Sequence, residues 1–254
     1  MMEVTLLGTG TSQGVPVIAC NCTVCKSTDK RDNRLRSSAM IRINGKTIII
    51  DAGPDFRQQM LRENITDIDA ILITHEHKDH IGGLDDIRPI NYFRNHSIAI
   101  YCEENVKKVI KKDFSYAFGD NKYPGVPEMN LITIDDSPFY IDDIPIIPIR
   151  LMHYHLPILG FRIADFTYIT DASFIEECEI EKIKGSHTMI VNALRPQKHY
   201  SHFSVQEAID LIQICKPEQA FLTHISHSVG RYESFNPELP KPISLGYDGL
   251  KILL

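Results

Sequence analysis

The 254-residue sequence contains no tryptophan and no apolar run that approaches the length of a membrane-spanning helix. Such a helix needs about 18 or more apolar residues, so we expect no membrane partner. Positive charge is also scarce, since 27 Lys and Arg residues stand against 33 Asp and Glu residues and give a net charge of −6. Proteins that bind nucleic acid stably are usually basic, so we expect no stable nucleic-acid partner.

The first residues lack the basic segment and the long apolar stretch of a signal peptide, which favours a cytoplasmic protein. Internal repeats and low-complexity segments are absent as well. Hydrophobic residues make up 43% of the chain and charged residues 24%, as in ordinary globular proteins. We therefore expect one domain over residues 1–254, and we leave a homodimer open as its assembly.

Short apolar runs typical of strands recur in both halves of the chain, with helix-like segments between or after them. The predicted strands are Glu3–Gly8, Ala39–Ile43, Thr47–Asp51, Ala70–Thr74, Ile98–Cys102, Ile144–Arg150, Gly160–Ala164, Phe166–Thr170, Thr188–Asn192 and Gln219–Thr223. The predicted helices are Asp55–Glu63, Glu103–Phe114 and Ser204–Cys215. This order suits an α/β fold in which two sheets pack face to face with helices outside. Asn44-Gly45 predicts a type I′ hairpin.

Three histidines and an aspartate lie within six residues, directly after the apolar run 70–73. They are His75, His77, Asp79 and His80. Donors at the end of a strand can surround an ion without lying deep in a core. Imidazole and carboxylate ligands suit zinc, manganese or iron, and the sequence does not choose among them. The segment therefore predicts a metal centre.

Cys20, Cys22 and Cys25 also lie within six residues, which in a cytosolic chain favours metal binding over disulfide bonds. Three thiolates are one ligand short of a tetrahedral zinc site, and His227 is the best candidate for the fourth. A closed shell of four ligands leaves no open position, so this zinc would be structural.

The segment His75-Glu76-His77-Lys78-Asp79-His80 resembles the His-x-His-x-Asp-His signature of the metallo-β-lactamase superfamily. The resemblance covers essentially the whole chain. It implies an αββα sandwich of two mixed β-sheets with flanking helices. It also implies an aspartate behind the metal ligands, Asp51.

The resemblance adds three ligands that each follow a strand-like run: His153, Asp171 and His224. One ion is then bound by His75, His77 and His153, the other by Asp79, His80 and His224, with Asp171 bridging the two. His155 competes with His153. We prefer His153, because the ligand in the family stands four residues before a proline, here Pro157.

Residues Gly8 to Pro16, ahead of the cysteine cluster, resemble the PhnP-like branch of the superfamily, the cyclic-phosphate phosphodiesterases. The resemblance implies two active-site ions, zinc or manganese, and one structural zinc. A hydroxide bridging the two ions would attack a small cyclic phosphodiester similar to phosphoribosyl 1,2-cyclic phosphate. Asp79 and His202 would be catalytic, with His202 as general acid and His199 as the alternative. We expect Arg88 to grip the phosphate, with a surface salt bridge as an equal alternative and Arg195 as a similar candidate.

Two other functions share parts of this pattern. A tRNase Z-like endonuclease would use the same metal motifs, but the chain lacks a long Gly- and Lys-rich arm. Its irregular segment 119–127 contains a single lysine, Lys122. A non-hydrolytic relative of the PQQ-biosynthesis type would not need a complete set of seven ligands. We therefore expect a small phosphodiester as the binding partner.

Overall fold

Fourteen strands form two seven-stranded sheets in the computed structural model, which describes residues 1–119 and 123–254. The strands of the first sheet are β1 (Met2–Gly8), β2 (Ser38–Ile43), β3 (Lys46–Ile50), β4 (Ala70–Leu72), β5 (Ile98–Cys102), β6 (Met129–Thr133) and β14 (Lys251–Leu253). Those of the second are β7 (Phe139–Ile141), β8 (Ile144–His153), β9 (Leu156–Ile163), β10 (Phe166–Ile169), β11 (Thr188–Asn192), β12 (Gln219–Thr223) and β13 (Ile243–Leu245).

Both sheets are mixed. The first has the order β14-β1-β2-β3-β4-β5-β6, with antiparallel pairing from β14 to β3 and parallel pairing from β3 to β6. The second has the order β13-β12-β11-β10-β9-β8-β7, with parallel pairing from β13 to β10 and antiparallel pairing from β10 to β7. Each sheet thus has a parallel part whose strand ends lie at one edge.

Seven α-helices accompany the sheets in the described residues. They are α1 (Phe56–Arg62), α2 (Lys78–Ile81), α3 (Arg88–Arg94), α4 (Glu104–Asp113), α5 (Glu177–Ile183), α6 (Val205–Cys215) and α7 (Tyr232–Phe235). Helix α6 begins with a capping box, in which the side chains of Ser204 and Glu207 each accept a hydrogen bond from the other residue's backbone N–H group. None of the helices in the described ranges is long and apolar enough to cross a bilayer.

Three apolar layers hold these elements together. Side chains of both sheets meet in the central layer, where Ile41 and Ile50 of the first sheet share one buried cluster with Phe161 and Tyr168 of the second. A second cluster packs helices α1, α3 and α4 onto the first sheet, and a third packs α5 and α6 onto the second. The expected αββα sandwich is confirmed.

Every predicted strand and helix is present, but four strands at the sheet edges and four short helices were not predicted. The expected hairpin at Asn44-Gly45 is present, and both residues have the positive φ values that a type I′ turn needs. The strands that were not predicted are β6, β7, β13 and β14, and the helices are α2, α3, α5 and α7. Strand β9 begins at Leu156 rather than Gly160. Part of the expected loop 119–127, including Lys122, lies outside the described residues.

A buried carboxylate connects the C-terminal segment to the glycine-rich loop, which comprises residues 8–16 and begins at the end of β1. The Asp248 side chain is 8% exposed and accepts hydrogen bonds from Thr9 N, Thr9 Oγ1 and Leu35 N at 2.8–2.9 Å. Buried Arg34 donates to the same Thr9 hydroxyl at 2.8 Å and to the Gly246 carbonyl at 2.6 Å. Because buried polar groups are costly when unpaired, this network fixes where the loop leaves the sheet.

Candidate metal centres

The expected ligands, and the aspartate expected behind them, follow strands of both sheets. Asp51 comes directly after β3, the segment 75–80 follows β4, Asp171 follows β10, and His224 comes directly after β12. Asp51, Asp171 and His224 have φ values of 62°, 58° and 55°. A left-handed backbone is uncommon for residues other than glycine, and strained residues of this kind cluster at functional sites. The turns at these strand ends bring the side chains together.

The loop after β3 packs directly against the short helix α2, which carries two of the expected ligands. The Ala52 N–H donates to the His80 carbonyl at 2.8 Å. A Cβ atom on Gly53 would lie 2.0 Å from the backbone oxygen of Asp79. Only glycine allows this approach, so Gly53 sets the position of Asp79 and His80 relative to Asp51.

His75, His77 and His153 form a first set of donors. One ring nitrogen of each lies within 4.8 Å of the others, and His75 Nε2 is 3.0 Å from His77 Nδ1. The nitrogen ligands of a tetrahedral zinc ion, at about 2.0–2.1 Å from the metal, are about 3.3 Å apart. The spacing therefore suits one ion. His155 is exposed at the turn of the β8–β9 hairpin and belongs to no such set in the described part of the chain.

Asp171 lies against a second group of donors. Its Oδ2 atom is 3.2 Å from His80 Nε2 and 3.2 Å from His224 Nδ1. The Oδ2 atom of Asp79 is also 3.2 Å from His80 Nε2. The structure thus brings Asp79, His80, Asp171 and His224 to one place, as the resemblance implies for the second ion.

The position of Asp171 connects the two groups. It forms one compact set of donors with His75 and His80, and another with His153 and His202. A carboxylate shared in this way is suited to bridge two ions. The second set also shows that His202, the expected general acid, lies within reach of the centre.

The hydrogen bonds around the histidines fit bound metal. Three buried ring nitrogens have no hydrogen-bond partner among the described residues: His80 Nε2, His202 Nδ1 and His224 Nε2. The second nitrogen of His80 lies 2.7 Å from Asp51 Oδ2, and His153 donates from Nδ1 to the Ser201 carbonyl at 2.7 Å. An imidazole oriented through one nitrogen, with the other left free, is typical of a metal ligand.

Burial and charge favour the ligand forms of Asp171 and His75. Burial opposes the ionisation of Asp171, but His224 and His80 outweigh it and hold the pKa of Asp171 well below its usual value. Burial lowers the pKa of His75 well below its usual value. Asp171 is therefore ionised and His75 neutral at pH 7, which are the forms that bind divalent metals. Burial also lowers the pKa of His202, to about 3.

The cysteine loop forms a separate cluster with the expected fourth residue. His227 Nδ1 lies 3.2, 3.5 and 3.4 Å from the Sγ atoms of Cys20, Cys22 and Cys25. A tetrahedral zinc ion with bonds of about 2.3 Å to sulfur and about 2.0 Å to nitrogen separates such atoms by about 3.5 Å. A hydrogen bond from the Cys25 N–H lowers the pKa of Cys22 to about 6, which favours its thiolate. The four side chains fit a closed zinc site.

A cavity of about 530 Å³ opens onto both clusters. Its lining combines donors from each cluster with the glycine-rich loop and the segment before α6: Thr11, Ser12, Gln13, Val17, His77, Asp79, His153, Asp171, Leu194, Arg195, His199, Tyr200, Ser201, His202, Ser226, His227 and Ser228. The sequence analysis did not identify Tyr200 or the serines as residues of the site. For Ser12, its position in the glycine-rich loop was the sequence feature that could have indicated a place in the cavity lining.

Arg88 does not line this cavity. It pairs with Asp85 and lines a different cavity beside α3, together with Asn91 and Glu128. The expected phosphate contact of Arg88 is therefore not supported, because its guanidinium is already paired with a carboxylate three residues earlier. Arg195 is the arginine that lines the cavity of the candidate centre.

Comparison with known sequences gives one family and several relatives. A model of the beta-lactamase superfamily domain matches residues 46–225. The octanoyltransferase of Porphyromonas gingivalis is 44% identical over 257 residues, covering 100% of this chain and 52% of that protein. The ribonuclease Z of Nanoarchaeum equitans is 37% identical over 112 residues, covering 42% of this chain and 35% of that protein. The chain thus spans about half, or less, of the length of these relatives.

Comparison with solved structures agrees with the family. A crystal structure described as a new diphosphatase from the PhnP family superposes with a TM-score of 0.93 at 37% identity, covering 99% of this chain and 96% of that chain. The two mixed sheets and their flanking helices match that fold. The chain belongs to the metallo-β-lactamase superfamily, in its PhnP-like branch.

Proposed function

We propose that this protein is a metal-dependent phosphodiesterase that hydrolyses a small cyclic phosphodiester, similar to phosphoribosyl 1,2-cyclic phosphate. The family and the diphosphatase relative support a metal-dependent hydrolase. The observation that carries the finer proposal is Asp171, whose carboxylate is shared between two sets of donors and lines an open cavity. Paired ion sites that share a ligand are typical of enzymes that cleave phosphate esters.

The chain would hold two zinc or manganese ions at the seven donors and one structural zinc at the cysteine loop. When bound, the ion pair would polarise the phosphoryl group and lower the pKa of a water molecule, which could then attack the phosphorus as hydroxide. The protein holds the histidine donors in place through hydrogen bonds to their Nδ1 atoms. Asp51 orients His80, and the Ser201 carbonyl orients His153. Asp79 lies beside His80 and lines the cavity, where it would face the reacting group.

A proton must reach the alkoxide that leaves, and two histidines are placed to supply it. His202 lies 3.7 Å from Asp171, measured from Nδ1 to Oδ1, and lines the cavity. Burial lowers the pKa of His202 to about 3, and the negative charge of a bound phosphodiester acts in the opposite direction. His199 also lines the cavity, 5.3 Å from His202 between ring centroids. We assign the proton to His202, which is nearer to the donors.

The size and charge of the site favour a small substrate. A volume of about 530 Å³ suits a small ligand. The net charge of −6 disfavours an extended RNA, because phosphate contacts supply most of the affinity for nucleic acids. An acyl chain, as the name of the octanoyltransferase relative would require, has few apolar partners here, since Val17 and Leu194 are the aliphatic residues of the lining. Arg195 is the candidate contact for a phosphate oxygen.

The proposed activity predicts that purified, metal-loaded protein cleaves small cyclic phosphodiesters and leaves precursor tRNA uncut. The measurement is a panel of cyclic and linear phosphodiesters and precursor tRNA, assayed at near-physiological salt. Efficient trimming of the tRNA 3′ end, with no cyclic phosphodiester turned over, would favour a ribonuclease Z-like function instead.

Proton donation predicts that His202→Ala lowers kcat by about 100-fold or more for an ester that releases an alkoxide. An ester that releases p-nitrophenolate should lose much less, because that anion leaves without a proton. His155→Ala, at the exposed hairpin turn, is the matched control and should keep both rates. If His199→Ala shows the selective loss and His202→Ala does not, the two roles are reversed.

The shared carboxylate predicts that Asp171→Asn loses both active-site ions together with the activity. The side chain keeps its shape but loses the charge that holds two divalent cations. Elemental analysis of the purified variant measures the metal content, with Asp85→Asn as a control outside the cavity. Two retained active-site ions would contradict the bridging role.

The structural zinc predicts that Cys22→Ser loses one zinc per chain and unfolds at a lower temperature. Bonds between thiolates and zinc contribute directly to the free energy of folding. The loss of one ligand should therefore lower the stability of the protein more than it lowers the rate of hydrolysis. Calorimetry and zinc analysis measure both effects. Exposed Cys178 gives the control Cys178→Ser, which should change neither. A Cys22→Ser protein with full zinc content and unchanged thermal stability would exclude this site.

A further inference from the structure

Ser201 contacts two histidines of the cavity through different atoms. It is 7% exposed and lies between His199 and His202, in the segment before α6. Its carbonyl oxygen is 2.7 Å from His153 Nδ1. Its hydroxyl oxygen is 3.1 Å, and its backbone nitrogen 3.4 Å, from His199 Nδ1. One buried residue therefore contacts the same ring atom, Nδ1, of two different histidines.

These contacts fix opposite tautomers in the two rings. A carbonyl oxygen can only accept, so His153 carries its proton on Nδ1 and leaves Nε2 free for a metal ion. A backbone N–H can only donate, so His199 Nδ1 is an acceptor, and the Ser201 hydroxyl can donate to it as well. In its neutral form His199 then carries its proton on Nε2. The first ring thus suits a cation, and the second suits an anion.

The His199 ring lies where it can contact a ligand. It lines the cavity, 5.3 Å from the His202 ring between centroids, and Tyr200 stacks on it with centroids 4.4 Å apart. Burial and then the positive charge of Arg195 lower the pKa of His199, which favours the neutral ring at pH 7. Among the described residues, hydrogen bonds reach its Nδ1 atom alone. Nε2 is therefore left for a ligand.

Arg195 stabilises the turn that carries His199. Its Nε and Nη2 atoms donate to the carbonyl oxygens of Gln197 and Lys198 at 3.3 and 3.1 Å. Its own carbonyl accepts from the Val205 N–H at 3.0 Å. Two donor atoms of the guanidinium are thus used within the protein, and Nη1 remains for a ligand. An anion at this wall of the cavity needs a further donor, and His199 Nε2 can supply it.

We infer that His199 donates a hydrogen bond from Nε2 to a non-bridging oxygen of the bound phosphate group, and that Ser201 is the positioning residue that fixes this donor. The inference rests on the proposed function and gives it a residue for substrate binding. His199 binds the phosphate as a neutral donor, whereas His202 supplies the proton to the leaving group. The two neighbouring histidines thus have different tasks.

Binding of inorganic phosphate to the zinc-loaded protein, measured by calorimetry, tests the donor without any turnover. Because a hydrogen bond to a charged group is lost, His199→Ala should raise the dissociation constant about tenfold. His199→Gln places an amide N–H near the position of Nε2 and should retain most of the affinity. His96→Ala, at a surface salt bridge with Asp67 outside the cavity lining, should not change it. Equal losses in His199→Ala and His199→Gln, or no loss in either, would contradict the neutral donor.

Nitrogen-15 NMR of the zinc-loaded protein distinguishes the tautomers, and the His199→Ala spectrum identifies the signals of His199. We expect the proton on Nε2 of His199 and on Nδ1 of His153. Ser201→Ala should shift the His199 Nδ1 signal, because the hydroxyl is lost, and leave His153 unchanged, because its partner is the backbone carbonyl. Exposed Ser234 gives the control Ser234→Ala, which should move neither. A proton on Nδ1 of His199, or His199 signals that Ser201→Ala does not move, would overturn the role of Ser201.

Kinetics with phosphoribosyl 1,2-cyclic phosphate separate this inference from the proposed function. His199→Ala should raise KM about tenfold and leave kcat nearly unchanged, as expected for a contact of equal strength before and during the reaction. Hydrolysis with an unchanged KM in His199→Ala would reject the His199 contact and keep the phosphodiesterase. Weaker phosphate binding in His199→Ala, in a protein that hydrolyses no cyclic phosphodiester, would do the reverse.

Discussion

Asp51 is the fixed point on which the geometry of the centre depends. It is fully buried, has a left-handed backbone and accepts hydrogen bonds from Thr74 N at 2.9 Å and Thr74 Oγ1 at 2.9 Å. Its Oδ2 atom also pairs with His80 Nδ1 at 2.7 Å. One carboxylate thus positions the start of the histidine segment and one of its last ligands at the same time. The donors of the second sheet can complete the centre only because Asp51 holds the donors that follow β4 in place.

The candidate centre lies where the two sheets are joined. Donors after β4 come from the first sheet, while His153, Asp171 and His224 come from the second. Between the sheets, the Leu159 N–H donates to the Thr74 carbonyl at 3.0 Å, a direct backbone contact beside the ligands. The central apolar layer holds the two sheets together. Ions bound at this centre would add a further link between the sheets, so metal binding would stabilise the packing of the sandwich.

Local chemistry was predictable from the sequence, and long-range packing was not. The segment 75–80 carries its donors within six residues, and the long strands show clear apolar runs. Three ligands from distant segments could be grouped only through the family resemblance: His153, Asp171 and His224. Strands β7, β13 and β14 have three residues each, too few to show a pattern. Arg88 forms a salt bridge with Asp85, the alternative that the sequence left open, and Tyr200 gains its neighbours only in the fold.

The two ends of the chain meet on the sheet edge formed by β14 and β1. Met2 N donates to the Leu254 carbonyl at 2.9 Å, and Glu3 pairs with Leu253. Strand β1 runs from this point to Gly8, a span of about 20 Å, before the chain reaches the loop that lines the cavity. Polypeptide attached at either end would therefore start at a distance from the cavity. This arrangement would allow the same fold to form part of a longer protein without covering the cavity, and the octanoyltransferase relative is about twice the length of this chain.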